Sequence, residues 1–233
     1  AEMNPYTFVH GILREAARQG VRIFEHSPMH GSQRDEGGRI RCRCGDGTVT
    51  AQHVIWATGY EAQQFKKESG AHFRASYVIV TEPVASLNSW YEKSLIWETA
   101  RPYLYMRTTP DGRIIAGGLD EVLSGGELPA GREIRQSERL LEEIHKRFPD
   151  QDHLSVSYAW GAVFGESRDG LPFIGLHPNF PGFYFLEGYG GNGTVCSMIG
   201  AEMIVDHLTG TRREDMAIFS LTRTTKPVPT PPK

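Results

Sequence analysis

The sequence has few cysteines, no long apolar run and little net charge, and each of these shortages excludes a class of protein. Three cysteines in 233 residues are too few for a disulfide framework and fit a reducing compartment, which predicts a cytoplasmic location. No stretch approaches about 18 consecutive apolar residues, and the first residues do not read as a signal peptide unless processing has removed one, so no membrane span is expected. A net charge of -3 without a long basic run gives no reason to expect nucleic acid as a partner.

The sequence contains enough apolar residues for a substantial core, 39% of the chain beside 23% charged residues. A chain of this length suits one large or two small globular domains. The proline-rich end, KPVPTPPK, is expected to be extended and disordered.

The N-terminal third alternates helix and strand signals. A helix is predicted from the N-cap Asn4 to Gly20, where a glycine ends it. Val21–Phe24 is then predicted as a strand, RIRCRC and TVTAQ as a hairpin around GDG, and His53–Gly59 as a buried strand running into a glycine turn. This order favours an open α/β layer.

The middle of the chain, from His72 to Phe164, has mostly strand patterns. SYVIVTEP, SLIWET, YLYMRTT, RIIAGG and LSVSYAWGAVF are predicted strands, with a hairpin at Pro110-Asp111-Gly112. One helix is predicted over about Arg132 to Phe148, and its buried face is expected to carry Ile134, Ser137, Leu141, Ile144 and Phe148. A mostly antiparallel sheet covered by a helix follows from this order.

Phe183–Leu208 is predicted to form a strand, a glycine loop and a helix. Gly188, Gly190 and Gly193 fit the spacing G-x-G-x-x-G, which calls for a second strand and an acidic residue about 20 positions later. Asp206 follows Gly193 by only 13 residues and lies in the helix itself. The segment therefore resembles half of a nucleotide site, and an NAD-linked dehydrogenase remains an alternative only if the loop is a true Rossmann turn.

Three segments together resemble the flavin-dependent amino-acid and amine oxidoreductases typified by D-amino-acid oxidase, glycine oxidase and sarcosine oxidase. They are NPYTFVHGILREAARQGVRIFEHSPM, HVIWATGY, and WGAVFGESRDGLPFIG running into the glycine loop and last helix. The resemblance implies FAD and a fold of α/β with α+β, an incomplete Rossmann-like FAD-binding domain plus a mostly antiparallel-sheet substrate domain. The family's N-terminal βαβ unit, which holds the FAD diphosphate, has no counterpart in this sequence.

The resemblance also implies domain boundaries. Residues 1–65 correspond to a remnant of the FAD-binding domain, 66–165 to the substrate domain, and 166–215 to a return to the FAD-binding domain. Residues 216–233 are expected to be a C-terminal extension with a disordered tail.

The resemblance places the flavin ring at the start of the last helix, where free amides stabilise the charge of a reduced flavin. It implies that the residues contacting FAD are Met29, Ala57, Thr58, Gly59, Asp169, Gly170, Gly190, Gly191, Asn192, Gly193 and Thr194.

Substrate residues are less clearly implied. Family members transfer a hydride from the carbon beside a substrate amine to the flavin. The arginine that amino-acid oxidases of the family place on the substrate carboxylate corresponds to Phe164, which puts an amino-acid substrate in doubt. Arg107 and Arg168 are possible replacements, and Tyr103, Tyr105 and Tyr189 are expected to line the pocket.

The predicted function is therefore an FAD-dependent oxidoreductase that oxidises a small amine or amino acid by hydride transfer. The alternative is a fragment or subunit that binds a small molecule or partner without catalysis. This chain by itself is expected to hold little FAD and to be inactive, with a missing FAD-binding segment or subunit as its partner. No metal site is predicted, because Cys42, Cys44, His26 and His30 lack further ligands at suitable spacing. Cys196 is interpreted as a packing residue, with a covalent flavin link as a remote option.

Overall fold

The computed structural model describes residues 2–61, 71–100, 102–124, 126–151 and 153–223. The chain divides into two compact units, Ala1–Val54 and Ile55–Lys233. No helix among the described residues is long and apolar enough to cross a membrane. The predicted disordered end, KPVPTPPK, lies outside the described residues.

The first unit begins with the predicted helix, α1 (Pro5–Arg18). Asn4 caps it as predicted, because its side-chain oxygen accepts a hydrogen bond of 3.1 Å from the amide of Thr7. Gly20 follows the helix with φ of +95°, a conformation that only glycine adopts freely. No side chain of α1 is buried in the described structure.

A three-stranded antiparallel sheet completes the first unit, in the order β1–β2–β3. Its strands are β1 (Met29–Arg34), β2 (Ile40–Cys44) and β3 (Gly47–Ala51), and the β2–β3 pair is the predicted hairpin. The polar sequence of β1 gave no strand signal.

The predicted strand at Val21–Phe24 is wrong. These residues have no strand conformation, and the side chains of Val21, Ile23 and Phe24 are exposed. A strand exists only where a neighbouring backbone completes its hydrogen bonds, and no described residue pairs with this segment. The N-terminal third is therefore a helix beside an antiparallel sheet, where we had predicted an α/β layer.

The second unit contains a five-stranded antiparallel sheet in the order β6–β7–β8–β5–β9. Its strands are β5 (Ala71–Thr81), β6 (Ile96–Trp97), β7 (Leu104–Thr108), β8 (Ile114–Val122) and β9 (Val156–Ser167). The predicted hairpin around Pro110-Asp111-Gly112 joins β7 to β8. Helix α2 (Arg132–Arg147) covers one face, so the prediction of an antiparallel sheet with a covering helix is confirmed.

The core lies between α2 and this sheet, where Leu140 and Ile144 pack against Tyr77, Met106 and other buried side chains. The predicted buried face of α2 was wrong at Ile134, whose side chain is 70% exposed. Gln136 takes the buried position instead, because its amide and the guanidinium of Arg132 both donate to the carboxylate of Glu121 on β8. A polar side chain that is fully bonded can therefore occupy a core position.

A third sheet contains β4 (Val54–Trp56), β10 (Phe173–Leu176) and β11 (Phe183–Glu187) in the order β10–β11–β4. Helix α3 (Gly193–Leu208) follows β11 through the glycine loop, as predicted. Met203 and Ile204 of α3 pack against Ile174, Tyr184 and Leu186 of β10 and β11.

Candidate functional site

The glycine loop between β11 and α3 has a backbone that only glycine adopts readily. Gly188 and Gly190 have φ of +70° and +55°. Asn192 is the N-cap of α3, but its side chain makes no capping hydrogen bond. The first amides of a helix lack intrahelical partners. At α3 these amides are therefore available to an electron-rich group, and the exposed Gly191, Asn192 and Thr194 lie beside them.

The end of β9 fixes the position of the glycine loop. The amide of Ser167 donates to the carbonyl of Gly188 at 3.1 Å, and the amide of Gly190 donates to the carbonyl of Gly165 at 2.9 Å. Glu166 and Tyr189 form an antiparallel bridge between these two hydrogen bonds. The loop is therefore attached to the five-stranded sheet by its backbone.

Tyr189 connects the glycine loop to the turn after β4. A β-carbon placed on Gly59 would lie 3.2 Å from the Tyr189 hydroxyl, and one placed on Gly193 would lie 3.1 Å from the Tyr189 ring. Gly59 has φ of +62°, and Ala57 and Thr58 beside it are exposed. Burial raises the pKa of Tyr189, with a smaller contribution from Cys196, so its phenol remains neutral. The structure thus brings Ala57–Gly59 and the start of α3 within reach of one side chain.

Asp169 and Gly170 form the turn that follows β9. The Asp169 carboxylate accepts two hydrogen bonds of 2.9 Å from Arg223, one of 2.9 Å from the Ser167 hydroxyl and one of 3.2 Å from the Leu171 amide. Hydrogen bonds from Arg223 are the largest cause that holds the pKa of Asp169 far below its usual range. The Asp169 carboxylate therefore organises the turn, a role that the sequence did not reveal.

The face of the five-stranded sheet opposite α2 carries the predicted pocket residues. A β-carbon on Gly191 would lie 3.8 Å from the Tyr103 hydroxyl, so Tyr103 reaches the glycine loop. The Tyr105 ring lies directly over Gly117, where any β-carbon would overlap with it. Because Gly117 has no side chain, Tyr105 can cross β8 and form a hydrogen bond with Ser76 on β5. Burial is the largest cause that raises the pKa of Tyr105.

Phe164 on β9 lies on the same face of the five-stranded sheet as these tyrosines and is paired with Arg74 of β5. The Arg74 guanidinium lies 3.6 Å from the Glu166 carboxylate, and Arg74 Nε is buried without a hydrogen-bond partner among the described residues. A β-carbon on Gly190 would lie 3.6 Å from the Glu166 carboxylate, so this ion pair adjoins the glycine loop. Sequence reasoning missed Arg74. The sequence of β5 gave no signal for Arg74, because the strand contains other polar residues such as His72 and Thr81.

The two arginines that we had considered, Arg107 and Arg168, are separate from Arg74, and their roles stay predictions. Arg107 follows Tyr103 by four residues on β7, so it is roughly 13 Å further along the strand. It makes no hydrogen bond or ion pair with any described residue. Arg168 is exposed. Met29 belongs to β1 of the first unit, and its assignment to the adenine stays a prediction.

The residues of the second unit fit an isoalloxazine ring in two respects. Gly190, Gly191 and Gly193 provide an edge without side chains, which a flat ring system needs for close approach to the backbone. The uncapped start of α3 provides amide donors and a partial positive charge of about +0.5.

Comparisons with known proteins show the family of the chain. The sequence matches the DAO family, described as FAD dependent oxidoreductase, over residues 1–207. It is 25% identical over 209 residues to a glycine oxidase of Bacillus licheniformis, covering 89% of this chain and 54% of the relative. It is 27% identical over 199 residues to a gamma-glutamylputrescine oxidoreductase of Escherichia coli (strain K12), covering 82% of this chain and 44% of the relative.

A solved structure shows the same fold. The glycine oxidase from Geobacillus kaustophilus superposes with a TM-score of 0.74 at 20% identity, covering 91% of this chain and 56% of that one. This likeness shows the fold alone. The chain spans about half the length of the curated relatives it matches.

Proposed function

This chain belongs to the DAO family of FAD-dependent oxidoreductases, and we propose that the complete protein oxidises a small amine or amino acid by hydride transfer to FAD. One observation carries the proposal. The Ala57–Gly59 turn and the start of α3 meet at the Tyr189 side chain, and Ser167 links the Asp169-Gly170 turn to the first residue of the glycine loop. This arrangement supports the flavin contacts that the resemblance implied.

Bound FAD would supply the acceptor for the hydride that leaves the carbon beside the substrate amine. The chain's own residues bind and orient. The first amides of α3 would stabilise negative charge on a bound flavin, and the backbone bonds of the glycine loop to β9 fix the loop that precedes them. No side chain of the chain needs to act as an acid or base in this scheme.

We infer that Arg74 binds an acidic group of the substrate. It lies opposite Phe164, beside the glycine loop, and its 3.6 Å contact to Glu166 leaves Nε unbonded. Of the relatives described above, one is named for glycine, which carries a carboxylate. The other is named for gamma-glutamylputrescine, so the choice between an amino acid and an amine depends on experiment.

Steady-state kinetics of the FAD-loaded protein with glycine and with putrescine will test the role of Arg74. We expect Arg74→Ala to raise KM for glycine by about tenfold, equivalent to about 1.4 kcal/mol, because a charge-assisted contact is lost. Arg212→Ala, at an exposed arginine after α3, is the matched control, and Arg107→Ala tests the other candidate arginine in the same assay. An unchanged KM for glycine in Arg74→Ala would refute the assignment, and turnover of putrescine alone would identify an amine oxidase.

We further propose that this chain by itself holds little FAD and is inactive. Amides at a helix start bind the diphosphate in dinucleotide sites, and the family's N-terminal βαβ unit that supplies them has no counterpart in this sequence, whose G-x-G-x-x-G at Gly188–Gly193 is assigned to the flavin ring. The absorbance of the purified chain between about 370 and 450 nm, where flavins absorb, measures the bound cofactor. Stoichiometric yellow protein would contradict this expectation.

A partner is proposed for the apolar surfaces that the described structure leaves open. In the first unit, Phe8, Ile12 and neighbouring residues of α1 line an exposed groove of about 530 Å³. In the second unit, α3 exposes Val195, Met198, Ile199, Val205 and Leu208. Each surface suits a segment or subunit that carries the diphosphate-binding unit, because exposed apolar faces of this kind normally pack against protein.

All cysteines are free, which supports our proposal of a cytoplasmic location.

A further inference from the structure

The chain after α3 returns along the second unit toward the glycine loop. Arg213 holds the beginning of this return, because its guanidinium bonds to Asp206 of α3 at 3.1 Å and to Asp215 at 2.8 Å. Met216 and Phe219 then pack against the apolar cluster formed by β10, β11 and α3. The path ends at Arg223, and we name residues 209–223 the return segment.

Arg223 is saturated with hydrogen bonds. Its guanidinium forms the two bonds to the Asp169 carboxylate and also donates to the carbonyl oxygens of Leu171 at 2.6 Å, Pro172 at 3.0 Å and Ser220 at 3.4 Å. It also lies 3.8 Å from the centre of the Phe173 ring. Only 11% of the side chain is exposed. Lysine cannot reproduce this arrangement, because a planar fork with five donors is needed to reach a carboxylate and several carbonyls together.

Two short paths connect Arg223 to the glycine loop. Asp169, held by Arg223, accepts from the hydroxyl of Ser167, whose amide donates to the carbonyl of Gly188. Phe173, which lies against the Arg223 guanidinium, would be 3.2 Å from a β-carbon on Gly188. Arg223 is therefore connected to Gly188, the first residue of the glycine loop, by one path through Asp169 and Ser167 and another through Phe173.

We propose that Arg223 is a positioning residue of the flavin-ring site, which fixes the Asp169 turn and the glycine loop relative to each other. The inference rests on the proposed function, since it concerns the same site. It extends that function to a residue outside positions 1–207, the part of the chain that matches the family. The return segment is accordingly part of the site, although it contributes no residue that touches the ring.

The proposal can be tested on the chain without flavin, because amide hydrogen exchange measures how strongly the backbone of the glycine loop is protected. We expect Arg223→Ala and Arg223→Lys to speed exchange at least tenfold at 167–171 and 188–194, while β5, β8 and α2 keep wild-type rates. Arg212→Ala is the matched control, because Arg212 is an exposed arginine of the same segment. Equal exchange at the loop in wild type and Arg223→Lys would overturn the proposal.

Arg223→Ala removes many contacts at once, so Asp169→Asn serves as a milder variant. It keeps the shape and one acceptor of the side chain but loses the charge that draws the guanidinium. Local loss of protection at 188–194 in Asp169→Asn supports the proposal, and unchanged protection there contradicts it.

A second measurement concerns the ring itself and uses the FAD-loaded full-length protein. We expect Arg223→Lys to shift the visible flavin absorption band and to raise the dissociation constant for FAD at least fivefold, with Arg212→Ala unchanged. A purely structural role would leave the band in place. A wild-type protein without a flavin band would overturn the proposed function itself, whereas a wild-type band unchanged in Arg223→Lys would overturn only the positioning role.

Discussion

Gly117 and Gly118 lie side by side on β8, and each is required for a different reason. At Gly117 a β-carbon would overlap with the Tyr105 side chain, which crosses the strand there to reach Ser76. At Gly118 a β-carbon would overlap with the carbonyl oxygen of Tyr103, and φ is +127°. The first contact involves a movable side chain and the second involves backbone.

Gly118→Ala is therefore expected to destabilise the second unit by about 2–4 kcal/mol, because both the backbone strain and the overlap must be relieved by moving β7. Urea unfolding followed by tryptophan fluorescence measures this, since all four tryptophans lie at or after Trp56. Gly126→Ala is the control, because its β-carbon would meet Phe73 at an ordinary 3.6 Å. A Gly118→Ala protein as stable as the control would show that β7 can move freely.

At the scale of single elements, α3 is apolar on nearly all sides. Met203 and Ile204 are buried against β10 and β11, whereas Met198 and Val205 on another face are 59% and 54% exposed. A helix that is apolar all round is normally buried all round. In the described structure α3 is buried on one side only, so packing within this chain does not explain why its second face is apolar.

Two methionines of α3 allow a matched comparison. We expect Met203→Ala to cost about 2–5 kcal/mol, because it opens a cavity in a packed cluster. Met198→Ala is expected to change stability by less than about 0.5 kcal/mol, as for other exposed positions. Urea unfolding of both variants measures these two changes in the free energy of unfolding. A large loss in Met198→Ala would mean that the outer face of α3 is already covered in the isolated chain.

At the scale of the whole molecule, the second unit contains carboxylates that ion pairs hold in the charged form. Asp169 is bound by Arg223, and Glu143 is bound by Lys146 and Arg147. These partners lower the pKa of Asp169 and of Glu143 below their ordinary values of 3.8 and 4.5. A carboxylate with a lowered folded-state pKa contributes stability above its unfolded pKa and loses it as pH falls toward the folded one.

The free energy of unfolding of the second unit is therefore expected to decrease as the pH falls below about 5. Urea unfolding by tryptophan fluorescence at a series of pH values measures the slope. The double variant with Asp169→Asn and Glu143→Gln is expected to be less stable at neutral pH but to show a flatter dependence. A double variant that loses stability in acid as steeply as wild type would exclude these two groups as the cause.

Local patterns in the sequence were sufficient for most of the elements. As predicted, α1 begins after Asn4 and ends before Gly20. The hairpin of β2 and β3 forms around its glycine turn, and the glycine loop leads from β11 into α3, also as predicted. These features depend on backbone preferences of neighbouring residues, which a sequence displays directly. The three segments from Asn4 to the last helix also identified the family, which the comparison over residues 1–207 confirms.

The tertiary structure alone decided features that depend on residues far apart in the chain. Val21–Phe24 has the composition of a strand but no described neighbour to pair with, and Ile134 gives its core position to Gln136 because Glu121 satisfies the amide. Arg74 and Arg223 are single arginines without a local pattern. Arg74 adjoins the site through cross-strand pairing with Phe164, and Arg223 through contacts to residues 51 to 54 positions earlier. A local pattern carries no information about partners that only folding brings together.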